Sequence, residues 1–354
     1  MKSLLTVENF LANREAYFLV DVRSPGEFSA SRIPGAINVP LFSDEERALV
    51  GTTYCQEGTD QAKLVGLSLI SPRLPTMVAE LLRGAAGREI VVYCWRGGMR
   101  SRSVFAVMEA LGYPIRQLVG GYKAFRRQVV TFLNETDIKV PVFVLNGLTG
   151  VGKTLVIKKL QAMNAPALDL EGMANHRGSA FGAVGLGDAR SQKDFEAYLF
   201  LALREQHEAP YLIVEGEGKR IGPVIIPDFF FAAMIQGYHL LLEADIDVRV
   251  ERILEEYRGK LDNADALATA VYSLQKKLGK EKCEALAVSI RQGDYKTAAT
   301  MLCTDYYDMY YRDSRQAKGR YLAVVNVNNL DQGTGEILAL VNNKHGAEEV
   351  HSHD

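Results

Sequence analysis

The sequence predicts an α/β protein made of two successive units of alternating strands and helices, the second carrying a helical insertion. Three observations lead there. Short apolar runs of strand character alternate with apolar-periodic helices over most of the chain. One such run, Ile90–Tyr93, delivers Cys94 to a loop of Gly and Arg followed by a helix. Another, Val142–Leu145, delivers the sequence G-L-T-G-V-G-K-T, again followed by a helix. The 354 residues, 47% of them hydrophobic, suffice for a large core and suggest two domains, 1–135 and 136–354.

Composition narrows the class. The 41 basic and 43 acidic residues give a net charge of −2, so no global field announces nucleic acid or membrane. Locally the balance differs: residues 94–127 hold Arg96, Arg100, Arg102, Arg116, Lys123, Arg126 and Arg127 against Glu109 alone, which favours an anionic partner near Cys94. Four scattered cysteines fit neither a disulfide framework nor a zinc site and imply a reducing cytoplasm. The start, M-K-S-L-L-T-V-E-N-F, lacks the apolar region of a signal peptide, and no run is expected to approach a membrane span.

In chain order, Tyr17–Val22 reads as a buried strand holding Asp21, followed by the turn R-S-P-G-E-F. Pro34-Gly35 makes a turn and Ala36–Val39 a short strand. Residues 43–66 are polar and charged, and Leu74–Leu82 is a helix. After the Ile90–Tyr93 strand, Ser101 is expected to open a helix through Val104, Val107 and Leu111. The amides of Gly97 and Gly98, the helix start, and the charges of Arg96 and Arg100 form a setting that favours thiolate at Cys94. An inert buried cysteine is the common alternative, but it needs neither the Gly-Gly pair nor two arginines. Ile115–Val119 is a strand, and G-G-Y-K-A-F-R-R begins the helix that closes the unit.

The runs L-V-D-V-R-S-P-G-E-F, I-P-G-A-I-N-V-P-L, C-W-R-G-G-M-R-S and L-V-G-G-Y-K-A-F, in this order, resemble a rhodanese-like domain. The resemblance implies that a loop cysteine handles a sulfane sulfur or selenium. Arg32 stands where such domains often carry His. Cys94 and Arg100 are separated by five residues, one more than in the common sulfurtransferase loop, and the wider loop also resembles that of rhodanese-related phosphatases, which handle a tetrahedral oxyanion.

In the second unit, Gly147, Gly150, Gly152, Lys153 and Thr154 form a Gly-x-x-x-x-Gly-Lys-Thr phosphate loop between strand and helix, a P-loop NTPase-like pattern. Its amides are expected to wrap a di- or triphosphate, with Lys153 on phosphate oxygens and Thr154 available for Mg²⁺. Strands follow at Ala167–Leu170, Tyr211–Val214, His239–Leu242 and Tyr321–Val327, with a helix at Val248–Tyr257. Asp169, Glu171, Glu215 and Glu217 lie at strand ends, where a metal-holding or base carboxylate would sit, though Glu215 reads equally well as a surface acid. Residues 262–318 read as a helical insertion. Within it, D-Y-Y-D-M-Y-Y-R spaces tyrosines four apart, for RNA stacking or, more simply, helix packing. Residues 344–354 read as a disordered polar tail.

The stretch L-D-L-E-G-M-A-N-H-R-G-S-A-F-G joins Asp169 and Glu171 to His176, Arg177 and Ser179. With E-E-R-A-L-V-G-T-T-Y, C-W-R-G-G-M-R-S and V-E-G-E-G-K-R-I-G, which carries Arg220, it resembles the tRNA 2-selenouridine synthase family over nearly the whole chain. Gly218 stands where that family usually has Ser. The resemblance implies a transferase acting on the wobble 2-thiouridine of certain tRNAs. It further implies that the sulfur would be alkylated with geranyl diphosphate and the geranylthio group then replaced by selenium from selenophosphate. The resemblance also implies selenophosphate synthetase as a partner, with no tightly bound cofactor and no membrane. Cys94 would take selenium as a selenosulfide or steer it to the base. A rhodanese-like sulfurtransferase or phosphatase fused to a P-loop small-molecule kinase is the alternative.

Overall fold

The computed structural model describes residues 4–177, 187–257, 264–310 and 321–351. The chain forms two compact units, Met1–Glu135 with Glu196–Tyr198, and Thr136–Phe195 with Leu199–Asp354.

The first unit holds a parallel sheet in the order β1-β5-β4-β2-β3. Its elements are β1 (Leu4–Leu5), α1 (Val7–Ala12), β2 (Tyr17–Asp21), α2 (Pro25–Ala30), β3 (Ile37–Asn38), α3 (Asp44–Gln56), α4 (Thr59–Ile70), α5 (Leu74–Ala85), β4 (Glu89–Tyr93), α6 (Met99–Ala110), β5 (Ile115–Leu118) and α7 (Gly121–Glu135). Strand β4 lies between β5 and β2, so its apolar residues are covered on both faces: Ile90, Val91, Val92 and Tyr93 are all buried. Cys94 therefore emerges at the carboxyl end of a central strand, the usual place for ligands in such sheets.

Residues 43–66, left unassigned by periodicity, form α3 and α4; Ser43 and Glu46 cap α3 reciprocally. Contrary to expectation, one helical run among the described residues, Thr59–Ala85, is long and apolar enough by length and composition to cross a membrane. It includes Pro72 and Pro75, which fall at a 3-10 turn and the start of α5, and α5 buries Met77, Leu81 and Ala85 in the core.

The second unit holds a parallel sheet in the order β12-β11-β6-β8-β7. The elements are β6 (Val142–Gly147), α8 (Lys153–Ala162), β7 (Ala167–Leu168), α9 (Leu170–Ala174), α10 (Gln192–Glu205), β8 (Leu212–Glu215), the hairpin β9 (Arg220–Ile221) and β10 (Val224–Ile225), α11 (Asp228–Gln236), β11 (Tyr238–Glu243) and α12 (Ile246–Tyr257). The insertion supplies α13 (Ala264–Tyr272), α14 (Gln275–Leu278), α15 (Lys280–Arg291), α16 (Tyr295–Leu302), a π turn (Cys303–Tyr307) and α17 (Asp308–Tyr310); β12 (Ala323–Asn326) and α18 (Leu330–His351) follow.

The insertion has its own core of Leu267, Val271, Leu286, Ile290 and Tyr307. Packing is thus the role of Tyr307; the side chains of Tyr310 and Tyr311 lie outside the described residues. Residues 344–351 of the expected polar tail are helical instead, continuing α18, which buries Thr334, Ile337 and Val341 ahead of them. Strand β7 stops at Leu168, two residues short of the expected end, because Asp169 caps α9.

Candidate active sites

In the first unit Cys94 is 3% exposed. Its sulfur accepts a hydrogen bond from the Gly98 amide at 3.2 Å and lies 3.2 Å from Ser101 Oγ. Gln117 Nε2 donates to Ser101 Oγ at 2.8 Å, which leaves the hydroxyl proton to point at the sulfur or at the Gly98 carbonyl, 3.3 Å away. Helix α6 starts at Met99 rather than Ser101, with Gly98 as its cap, so the sulfur sits at the positive end of a twelve-residue helix.

Backbone approach explains the glycines. A Cβ on Gly121 (φ +58°) would stand 2.1 Å from the Cys94 carbonyl oxygen and 2.6 Å from the Gly97 nitrogen. The start of α7 is clamped to the loop by Tyr122 N–H to Cys94 O and Lys123 N–H to Trp95 O, both 2.9 Å.

The arginines divide. Arg96 is exposed at the loop tip. Arg100, expected to lend charge to the sulfur, is instead committed to Glu27: one nitrogen makes a close ion pair and Nη2 lies 3.3 Å from Oε1. Arg100 and Arg47 together hold the Glu27 carboxyl below its usual range against the opposing effect of burial. Beneath the loop, Arg23 is 1% exposed and grips Asp21 through Nε at 2.9 and 3.0 Å and Nη2 at 2.6 Å. Its guanidinium lies 4.6 Å from the Tyr122 ring centroid.

In the second unit the phosphate loop joins β6 to α8. Gly150 (φ +78°) and Gly152 (φ +97°) take backbone that other residues resist, and a Cβ on Gly147 would meet Leu242 O at 2.9 Å. Helix α12 holds the loop from behind. Arg249 Nε donates to Thr149 O at 2.9 Å, and Arg252 Nη1 to Val151 O at 2.6 Å. Arg249, buried, also makes a bidentate pair with Asp308 of α17 at 2.7 and 3.0 Å, tying the insertion to the loop.

Lys153 Nζ lies 3.8 Å from Glu217 Oε1 and 3.4 Å from Gly147 O. Thr154 Oγ lies 3.0 Å from Glu171 Oε2 and 3.1 Å from Glu215 Oε2, while Glu215 Oε1 accepts the Glu171 amide at 2.8 Å. Three carboxyls thus crowd one lysine and one hydroxyl. Burial, then the charge of Glu217, raises Glu171 to about 7. Burial followed by Glu171 raises Glu215, and burial raises Glu217 against the pull of Lys153.

A cavity of about 590 Å³ opens on this loop. Lys153, Thr154, Glu171, Arg177 and Glu217 are among its polar lining, with Arg252, Glu256 and Lys277. Its other walls include Ile253 and Leu254 of α12 and Leu267, Ile290, Leu302 and Tyr306 of the insertion.

Two family models divide the sequence in the same way: residues 6–128 match the rhodanese-like domain and residues 140–332 the tRNA 2-selenouridine synthase AAA domain. Curated relatives named tRNA 2-selenouridine synthase match over most of both chains. The protein of Shewanella woodyi is 31% identical over 330 residues, 85% of this chain and 88% of that one. That of Cupriavidus necator is 34% identical over 333 residues, 85% and 89%, and that of a Sulfurovum species 34% over 328 residues, 83% and 87%. The chain belongs to the tRNA 2-selenouridine synthase family.

The stretch by which sequence alone points to the synthase family distributes unevenly in space. Glu171 and Arg177 line the cavity, where Arg177 makes a close pair with Glu256. His176 packs against Gly222, whose Cβ would meet the ring at 2.5 Å, and burial, aided by Arg177, lowers its pKa. Asp169, expected as a metal or base carboxylate, instead caps α9 by accepting the Gly172 amide at 2.6 Å. Arg220 is exposed on β9. Ser179 lies outside the described residues.

Among the described residues, no group of three or more His, Cys, Asp or Glu is placed to hold a metal. Two carboxylates and the Thr154 hydroxyl do suit a Mg²⁺ that takes its remaining ligands from phosphate and water. Sequence reasoning missed Ser101, Gln117, Glu27, Arg249 and Arg252, whose partners are mostly remote in sequence.

Proposed function

We propose that this chain converts the wobble 2-thiouridine of tRNA to 2-selenouridine in two steps divided between its sites, in the cytoplasm. In the first, the thiouridine sulfur attacks C1 of geranyl diphosphate, the C1–O bond breaks and diphosphate leaves, giving S-geranyl-2-thiouridine. In the second, selenium from selenophosphate displaces the geranylthio group.

The observation that carries this reading is the cavity, lined by the phosphate-binding loop and by apolar side chains of α12 and the insertion, with Lys158, Arg252, Glu255, Glu256 and Lys277 also on its walls. That lining suits a prenyl diphosphate: loop amides and Lys153 hold the diphosphate and stabilise its charge as it departs, and the hydrocarbon lies against Leu267, Ile290 and Leu302. A Mg²⁺ held by Thr154 and Glu171 or Glu215 would neutralise the same charge. Glu217, beside Lys153, keeps the ammonium placed when the loop is empty.

For the second step, selenium in selenophosphate is already at the selenide level. A selenosulfide on Cys94 would require an oxidant, so steering is the role that balances. Selenium attacks C2, the C2–S bond breaks and geranylthiolate leaves; water then cleaves the P–Se bond and releases phosphate. Cys94, Gly98 and the start of α6 receive the tetrahedral anion, with Arg96 nearby in the loop.

Supplying purified protein with 2-thiouridine tRNA, geranyl diphosphate and selenophosphate, then analysing nucleosides by mass, tests the reading. It expects the S-geranyl nucleoside as an intermediate and 2-selenouridine as product. An unchanged wobble base, or phosphate release from simple phosphate esters without any effect on tRNA, would reject it.

A further inference from the structure

Trp95 follows Cys94 directly and is the only tryptophan in the chain. It remains 37% exposed, although its neighbours Tyr93 and Cys94 are buried. Its ring is braced from within: the Tyr122 ring lies 5.4 Å away at 34°, and the Arg23 guanidinium lies 5.9 Å from its centroid. Those braces are themselves buried, and Lys123 N–H holds the Trp95 carbonyl, so backbone and ring are both fixed. The next residue, Arg96, and Lys123 are exposed and form no ion pair among the described residues. A braced, partly exposed aromatic ring on the residue that follows Cys94, with two cations that form no ion pair among the described residues close by in the loop and at the start of α7, has the makings of a nucleotide platform: the ring takes a base face and the cations take phosphate.

We propose that Trp95 is the surface on which a nucleobase of the substrate RNA stacks, setting C2 of that base over Cys94 for selenium delivery. The inference rests on the proposed selenation at this loop and assigns Trp95 as a positioning residue. Stacking of one base is worth roughly 5- to 150-fold in binding.

The sole tryptophan makes its own fluorescence the probe. The full chain is titrated with an anticodon stem-loop carrying S-geranyl-2-thiouridine at the wobble position, and with the same RNA abasic there. Selenation kinetics are then compared for wild type, Trp95→Phe and Trp95→Ala. Base stacking gives quenching by the modified RNA that is much weaker with the abasic one. It also gives a KM for RNA raised roughly 5- to 150-fold in Trp95→Ala, with Trp95→Phe recovering most of the loss. Equal quenching by both RNAs, or an unchanged KM in Trp95→Ala, overturns the proposal while selenation by wild type leaves the functional reading standing. Base-dependent quenching with no selenation by wild type does the reverse: the platform stands and the assigned reaction falls.

Discussion

Replacing Gly121 with Ala should dismantle the Cys94 loop from a position that no substrate need touch. The added methyl would stand 2.1 Å from the Cys94 carbonyl oxygen, 2.6 Å from the Gly97 nitrogen and 3.1 Å from the Cys94 carbonyl carbon. All three are backbone atoms, so no side-chain rotation relieves the contact. Left-handed backbone at φ +58° adds about 1 kcal/mol for a residue with a Cβ, and overpacking against fixed atoms about 1–3 kcal/mol more. The variant should therefore lose about 2–4 kcal/mol of stability, or shift the loop and release the two hydrogen bonds that fasten Tyr122 and Lys123 to it. Gly98→Ala is the control, since Gly98 has φ −91° and open space around its Cβ position. Urea denaturation followed by near-ultraviolet dichroism reads the stability, and selenation of pre-geranylated RNA reads the loop. Gly121→Ala should fail in at least one assay and Gly98→Ala should keep its stability. A Gly121→Ala variant with wild-type stability and selenation would refute the tight backbone packing on which the loop geometry depends.

Other outcomes follow from the second unit. Glu171 has its carboxyl raised to about 7 in the fold against an ordinary 4.5, so the fold binds a proton that the unfolded chain has lost between these values; stability falls as pH rises through that window, by about 3 kcal/mol at most. Thermal melts of Glu171→Gln should therefore match wild type near pH 4.5 and exceed it near pH 8, and equal melts at both would contradict the burial-driven shift. Arg249→Met leaves Asp308 without its buried partner and the Thr149 carbonyl without its donor, and should cost about 3–5 kcal/mol in urea denaturation. Leu302→Trp fills the apolar wall and should raise the KM for geranyl diphosphate at least about tenfold, consistent with a van der Waals misfit of over 1.4 kcal/mol, while pre-geranylated RNA is still selenated.

Sequence carried the fold and the two loops because both are local. Four buried residues of β4, a Gly-rich turn and a periodic helix occupy one short stretch, and so do β6, Gly147–Thr154 and α8. What sequence could not show is which remote group neutralises or holds a local one. Arg100 reads as a free cation until Glu27, 73 positions away, is found on it. Arg249 reads as one polar residue of an amphipathic helix, and only the tertiary structure joins it to Thr149 and Asp308. Helices α3 and α4 escaped because their apolar faces are weakly segregated, although the Ser43–Glu46 capping box was a usable signal. Asp169 could have been recognised in D-L-E-G as a cap, since an acid three residues before a glycine amide at a helix start commonly accepts from it. The apolar chamber was illegible for a different reason: periodicity marks which residues of the insertion are apolar, but not that Leu302 and Tyr306 line a cavity open to the phosphate loop.

The division of chemistry between the two sites is tested most directly by nucleoside mass analysis of two variants, each given thiolated tRNA and, separately, pre-geranylated tRNA with selenophosphate. Lys153→Ala should produce no S-geranyl-2-thiouridine yet still selenate the pre-geranylated RNA, whereas Cys94→Ala should accumulate the geranylated base and make no 2-selenouridine. Loss of both steps in Lys153→Ala, or normal selenation by Cys94→Ala, would contradict it.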